Sequence, residues 1–147
     1  MATIKTKTYT NVRPLYTPDD ADACYSAIPV EFPTAALAAN DIIALCTIPA
    51  GLRHTDYKII FPDIDSGGLP AFAFSIGVAN AGLTDLATVY ASGITAGQAS
   101  ATFRPTNAAH FEQDYTVDRV LAIKVTTAAA TYAGAGKVGR VMVELEG

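Results

Sequence analysis

The sequence predicts an all-β protein: a two-sheet, jelly-roll-like β-sandwich built as one domain behind an extended N-terminal arm. Three observations carry this. Large apolar residues alternate with small or polar ones, most clearly Phe72, Phe74, Ile76 and Val78 against Ala71, Ala73, Ser75 and Gly77. Such period-two patterning places one face of a sheet on a core. Turn residues separate these segments at roughly 10–15-residue spacing, the pattern of a sandwich, jelly roll or barrel. The chain has 147 residues, and a single core suits about 100–200.

The first 40 residues read as the arm and 41–147 as the sandwich. Pro14, Pro18, Pro29 and Pro33 punctuate the arm; each fixes its own φ and pushes its predecessor toward extended backbone. Tyr9, Tyr16, Tyr25 and Phe32 supply contact area between them. The arm is expected to lie over its own domain, a symmetry mate or another protein. Lys5, Lys7 and Arg13 precede an acidic knot of Asp19, Asp20 and Asp22. That charge order fits either a solvated tail or docking on a charged partner. Lys5, Lys7, Tyr9, Arg13, Tyr16 and Tyr25 are the candidate interface residues. Residues 34–40 suit a helical turn, since Ala and Leu favour it.

Strands follow from Asp41. Ile42, Ala44, Cys46 and Ile48 occupy one face and Ile43 and Leu45 the other, the mark of a strand buried on both sides. Pro49-Ala50-Gly51 closes it. Residues 57–61 form the next, ended by Pro62-Asp63 and the Asp65-Ser66-Gly67-Gly68 turn, whose glycines are expected at positive φ. After 71–78, residues 80–97 are read as a short loop and a strand, although Leu83, Leu86, Ala87 and Tyr90 would equally fit a helix face, and 100–103 as a further short strand. Residues 115–126 and Val138–Glu146 complete the set, the last with Val141, Val143 and Leu145 inward and Arg140, Glu144 and Glu146 outward. Seven to nine strands are expected.

Composition narrows the function. Half the residues are apolar and only 16% charged, with a formal net charge of −4. Typical soluble domains carry about 25% charged residues, so much of the exterior is expected to be covered by neighbours. A nucleic-acid binder would show a basic stripe, and none is present. No apolar run approaches the roughly 18 residues of a membrane span, and residues 1–6 lack a signal-peptide pattern. Synthesis in the cytoplasm is expected. Cys24 and Cys46 are too few for a disulfide scaffold and sit in apolar contexts that suit reduced thiols; a bridge between them stays open.

The residues that carry chemistry are sparse. His54 and His110 stand in no paired metal spacing, and a metal-dependent cupin, an enzyme on this architecture, needs closely spaced histidines. Each is expected as a lone buried or loop histidine. Asp63-Ile64-Asp65-Ser66-Gly67 opens like a calcium loop, but position twelve, where a bidentate acid belongs, is Phe74. An Asx turn is the expected structure. Neither cysteine has a local base to activate it. Asp114 and Asp118 flank Tyr115 and Val117 and are expected in solvent. No catalytic site, cofactor or metal is expected.

Residues 40–51, Asn40-Asp41-Ile42-Ile43-Ala44-Leu45-Cys46-Thr47-Ile48-Pro49-Ala50-Gly51, resemble a run found in small structural proteins of tailed bacteriophages. Phe61-Pro62-Asp63-Ile64-Asp65-Ser66-Gly67, Ala73-Phe74-Ser75-Ile76-Gly77-Val78, and 119–131 followed by Ala133-Gly134-Ala135-Gly136 resemble later segments of the same family over roughly 38–146. The resemblance implies a capsid cement or decoration protein, commonly trimeric. It would sit on the capsid exterior and clamp neighbouring copies of the major capsid protein. The chain departs from the pattern at Asn40, where glycine is usual, and the arm matches no family motif. The alternatives are a head-fibre, tail or baseplate component, or a carbohydrate- or receptor-binding sandwich, for which the absence of Trp is unfavourable.

Overall fold

The computed structural model describes residues 1–10, Leu15 and 23–147; Arg13 and Tyr16 lie outside the described residues. Nine strands and no helix occur among them: β1 (Thr3–Lys5), β2 (Ala23–Glu31), β3 (Ile42–Ile48), β4 (Arg53–Phe61), β5 (Ala73–Ala79), β6 (Leu86–Ile94), β7 (Ala101–Phe103), β8 (Arg119–Thr127) and β9 (Val138–Glu146). They form a five-stranded sheet in the order β1-β3-β8-β5-β6 and a four-stranded sheet in the order β2-β9-β4-β7. All neighbours are antiparallel except β1 and β3. The inner faces meet in one core containing Ile28, Ile43, Leu45, Tyr57, Ile59, Phe61, Phe74, Ile76, Leu121, Ile123, Val141 and Val143.

The division at residue 40 is not a boundary in the pairing. β2 hydrogen-bonds to β9 along its whole length, from Ala23↔Glu146 to Glu31↔Val138. Ile28, Val30 and the following Phe32 are buried, each contributing about 1.5–3 kcal/mol. The prolines conceal this strand because β2 is an edge. Phe32 N donates to Lys137 O at 3.0 Å; in an antiparallel ladder the bonded positions alternate, so those of β2 include Val30 and Ile28. Pro29 then falls on the free side, where a missing N–H costs no ladder bond. The proline also blunts an edge open to unwanted pairing.

The N-terminal residues are also tied down. Asp41 is buried, accepting from Ala2 N at 2.7 Å and Ala38 N at 2.8 Å. Thr6 donates its N–H to Ala44 O and its hydroxyl to Leu45 O. Residues 34–40 form bends and a turn, not the expected helical turn. Asn40, where the family pattern has glycine, takes φ 72°, a left-handed conformation that Asn tolerates best after Gly.

Two strand readings need correction. A bulge between Ala44 and Cys46 breaks the alternation of β3. Ile43, Leu45, Cys46 and Ile48 all join the main core, while Ile42 packs with Ala79 and Ala122 in a second cluster. An extra residue in one strand reverses the facing of everything after it. And β8 begins at Arg119, because residues 115–118 are loop, with Asp114 accepting from Thr116 N.

Gly77 explains the small face of β5. A Cβ there would stand 1.9 Å from the Thr88 carbonyl oxygen, so β6 crosses β5 where only glycine fits.

Candidate functional site

Of the described members of the candidate interface set, Tyr25 reaches a strand beyond residue 40, while Lys5, Lys7 and Tyr9 make side-chain contacts within residues 1–40. Lys7 pairs with Glu31 at 2.6 Å, Lys5 lies over the Tyr9 ring at 5.6 Å, and Tyr25 donates to Asp56 at 3.0 Å. Tyr25 stays exposed on the outer face of β2.

The calcium-like loop is a hub of backbone hydrogen bonds. Asp65 is buried, and its carboxylate accepts from the N–H groups of Gly67, Ala71, Phe72, Ala130 and Thr131 at 2.7–3.3 Å. Burial raises its pKa, but the bonds from Thr131, Ala130, Ala71 and Phe72 outweigh that and hold the group well below the usual carboxylate range. Both oxygens are occupied by donors, so the Asx-turn expectation holds, with Asp63 accepting from Asp65 N as well. The glycines differ from expectation: Gly67 and Gly68 are not among those at positive φ. Gly67 supplies room instead, since a Cβ would stand 3.1 Å from Ala130 Cβ.

The two histidines come together. His54 on β4 and His110 on the 104–118 loop are both buried, with ring centroids 5.4 Å apart. Tyr57 and Tyr90 complete the cluster at 5.1–6.2 Å from one ring or the other. His110 Nε2 lies 3.0 Å from Thr55 O; a carbonyl only accepts, so this nitrogen carries the proton and Nδ1 is the acceptor in the neutral ring. Burial, then the neighbouring His110 and Arg119, push His54 down to about 3. Burial pushes Tyr90 up to about 12. Nothing in the spacing of the two histidines foretold their meeting, because the loop returns to β4 only in three dimensions.

Among the described residues no three His, Cys, Asp or Glu side chains are grouped to hold a metal. Arg119 next to the imidazoles also opposes a cation. Cys46 is a reduced thiol in the core, pushed up to about 12 by burial, so it holds its proton near neutral pH. Two shallow grooves, of about 210 and 390 Å³, run beside β1–β2 and Phe32–Pro33, away from both histidines.

One surface feature was missed from sequence. Arg53, at the start of β4, stacks its guanidinium 4.4 Å from the Tyr115 centroid and 5.5 Å from that of Phe111. Phe111, Tyr115 and Val117 are large apolar side chains left exposed on one loop. Loop aromatics without alternation carry no secondary-structure signal: the strand reading of 115–118 absorbed Tyr115 and Val117, and Phe111 fell outside every expected strand.

No family model matches the chain, and no curated protein does. Solved structures do. A chain of the capsid of Ralstonia phage GP4 superposes with a TM-score of 0.84, 27% identity and coverage of 98% of this chain and 97% of that one. A chain of the cyanophage Pam1 capsid asymmetric unit gives 0.63 at 25% identity, with 90% of each chain covered. The sandwich is capsid-like: it shares its fold with these two phage capsid chains over nearly its whole length.

Proposed function

We propose that the chain is a capsid cement or decoration protein, bound as a homotrimer to the outer surface of a phage head, where it holds neighbouring major capsid subunits together. The observation that carries a structural role in the virion is the near full-length likeness to a chain of a phage capsid. It spans the N-terminal region as well as the sandwich, so the whole chain follows one plan. The composition supports the finer reading: with 16% charged residues, the exterior suits coverage by neighbours. The role requires area, not reactive groups. A stable contact buries about 800 Å² per partner, roughly a ninth of the 6896 Å² this chain exposes. Several such contacts fit on one subunit, and weak ones accumulate over a shell by multivalency.

The test is sedimentation of the purified chain with expanded shells assembled without it, beside its mass in solution. The proposal expects a trimer that saturates the shells at a fixed ratio to the major capsid protein. A monomer that leaves the shells bare would overturn it.

A further inference from the structure

We propose that the surface formed by Arg53, Phe111 and Tyr115 is the capsid-docking face, and that its guanidinium, held against the two aromatic rings, receives a carboxylate side chain of the major capsid protein. This rests on the cement reading and identifies the contact that reading requires.

The geometry is that of a prepared anion receptor. An arginine stacked on two ring faces keeps its planar fork of N–H donors in a restricted orientation. Arg53 is exposed, and no carboxylate of the described residues lies within ion-pair distance of it; the ion pairs there are Lys7–Glu31 and Lys124–Asp85. Of the acids near these residues in sequence, Glu112 makes no ion pair with Arg53 and three others are engaged elsewhere. Asp56 accepts from Tyr25, Asp114 from Thr116 and Asp118 from Ala50 N. Glu146, the cross-strand neighbour of Arg53, makes no ion pair with it. A guanidinium fork with no acceptor is matched by a carboxylate, which it binds bidentately.

The surroundings favour binding over solvation. Phe111 is 42% exposed, Tyr115 40% and Val117 50%, so a partner covering them would remove water from around the ion pair. Tyr and Arg dominate the energetics of such interface centres. The loop is ordered before it binds. His110 anchors it to Thr55 O, Gln113 donates to Ala109 O at 2.7 Å, and Gly51 N donates to Tyr115 O at 2.7 Å. A preorganised surface loses little entropy on docking.

The experiment measures binding of four forms to shells lacking this chain: the natural chain, Arg53→Ala, Arg53→Lys and Phe111→Ser/Tyr115→Ser, with Lys58→Ala as a control on the same sheet. Melting curves check that each is folded. The proposal expects at least a tenfold loss for Arg53→Ala and for the double variant, a clear loss for Arg53→Lys, which keeps charge but not the fork, and no change for Lys58→Ala. If the natural chain binds and both Arg53→Ala and the double variant bind equally well, this docking face is wrong and the cement reading stands. Loss in the double variant alone would mean an apolar occupant and would overturn the carboxylate. If the natural chain itself does not bind, the cement reading fails and the docking face falls with it.

Discussion

His54 and His110 meet edge to face, with ring planes at 70° and centroids 5.4 Å apart, joining a core strand to the 104–118 loop. Burial of His54, reinforced by His110 and Arg119 beside it, makes the fold sensitive to acid. His54 titrates near 6.5 when unfolded and at about 3 when folded, so the unfolded chain binds the extra proton between those values. Its contribution to stability is complete above pH 6.5 and falls as pH drops toward 3, by up to about 1.4 kcal/mol per pH unit. Thermal unfolding at pH 7 and pH 5 should therefore differ, and His54→Phe should shrink that difference. An unchanged difference would mean that other groups carry the acid response.

Asp65 acts in a lower window. Its folded pKa is depressed, so its contribution is present above the ordinary carboxylate range, about 3.9, and disappears as pH falls through the folded value. Asp65→Ala would leave five backbone N–H groups without their acceptor. Unsatisfied buried groups cost about 1–3 kcal/mol each, so a loss of at least about 3 kcal/mol is expected by chemical denaturation at pH 7. Calcium should not raise the melting temperature of the natural chain, because both carboxylate oxygens are already occupied.

Gly77→Ala places a methyl group against the Thr88 carbonyl. Backbone must move to admit it, and overpacking of this kind costs about 1–3 kcal/mol. Gly68→Ala, with nothing within 4 Å of its Cβ, is the matched control and should change stability little. Denaturant midpoints of the two variants decide the point.

Deleting residues 1–33 removes β1, β2 and the buried Ile28, Val30 and Phe32. The remaining chain should fail to give a cooperative unfolding transition, since the inner face of the four-stranded sheet loses an entire strand. A folded 34–147 fragment would show that the N-terminal region is an accessory arm after all.

Much of the sandwich was legible because its strands repeat large and small residues every second position. Phe74 and Ile76 on β5 and Val141, Val143 and Leu145 on β9 face the core as their alternation requires. β2 was hidden because Pro29 within it and Pro33 just beyond it read as breaks, a rule that holds for central strands and relaxes at an edge. β3 misled by one bulge, an event that local apolarity does not encode when both faces are buried. The surface site was least legible of all. Arg53, Phe111 and Tyr115 come from a strand start and a distant loop, and their meeting depends on His110 seating that loop on β4.

If the proposed role is right, this chain strengthens a phage head, which calorimetry of expanded shells with and without it measures. Shells saturated with the chain should disrupt at a higher temperature than bare shells, with the increase growing with occupancy until the sites are full. Shells that bind the chain yet disrupt at the same temperature would contradict cementing.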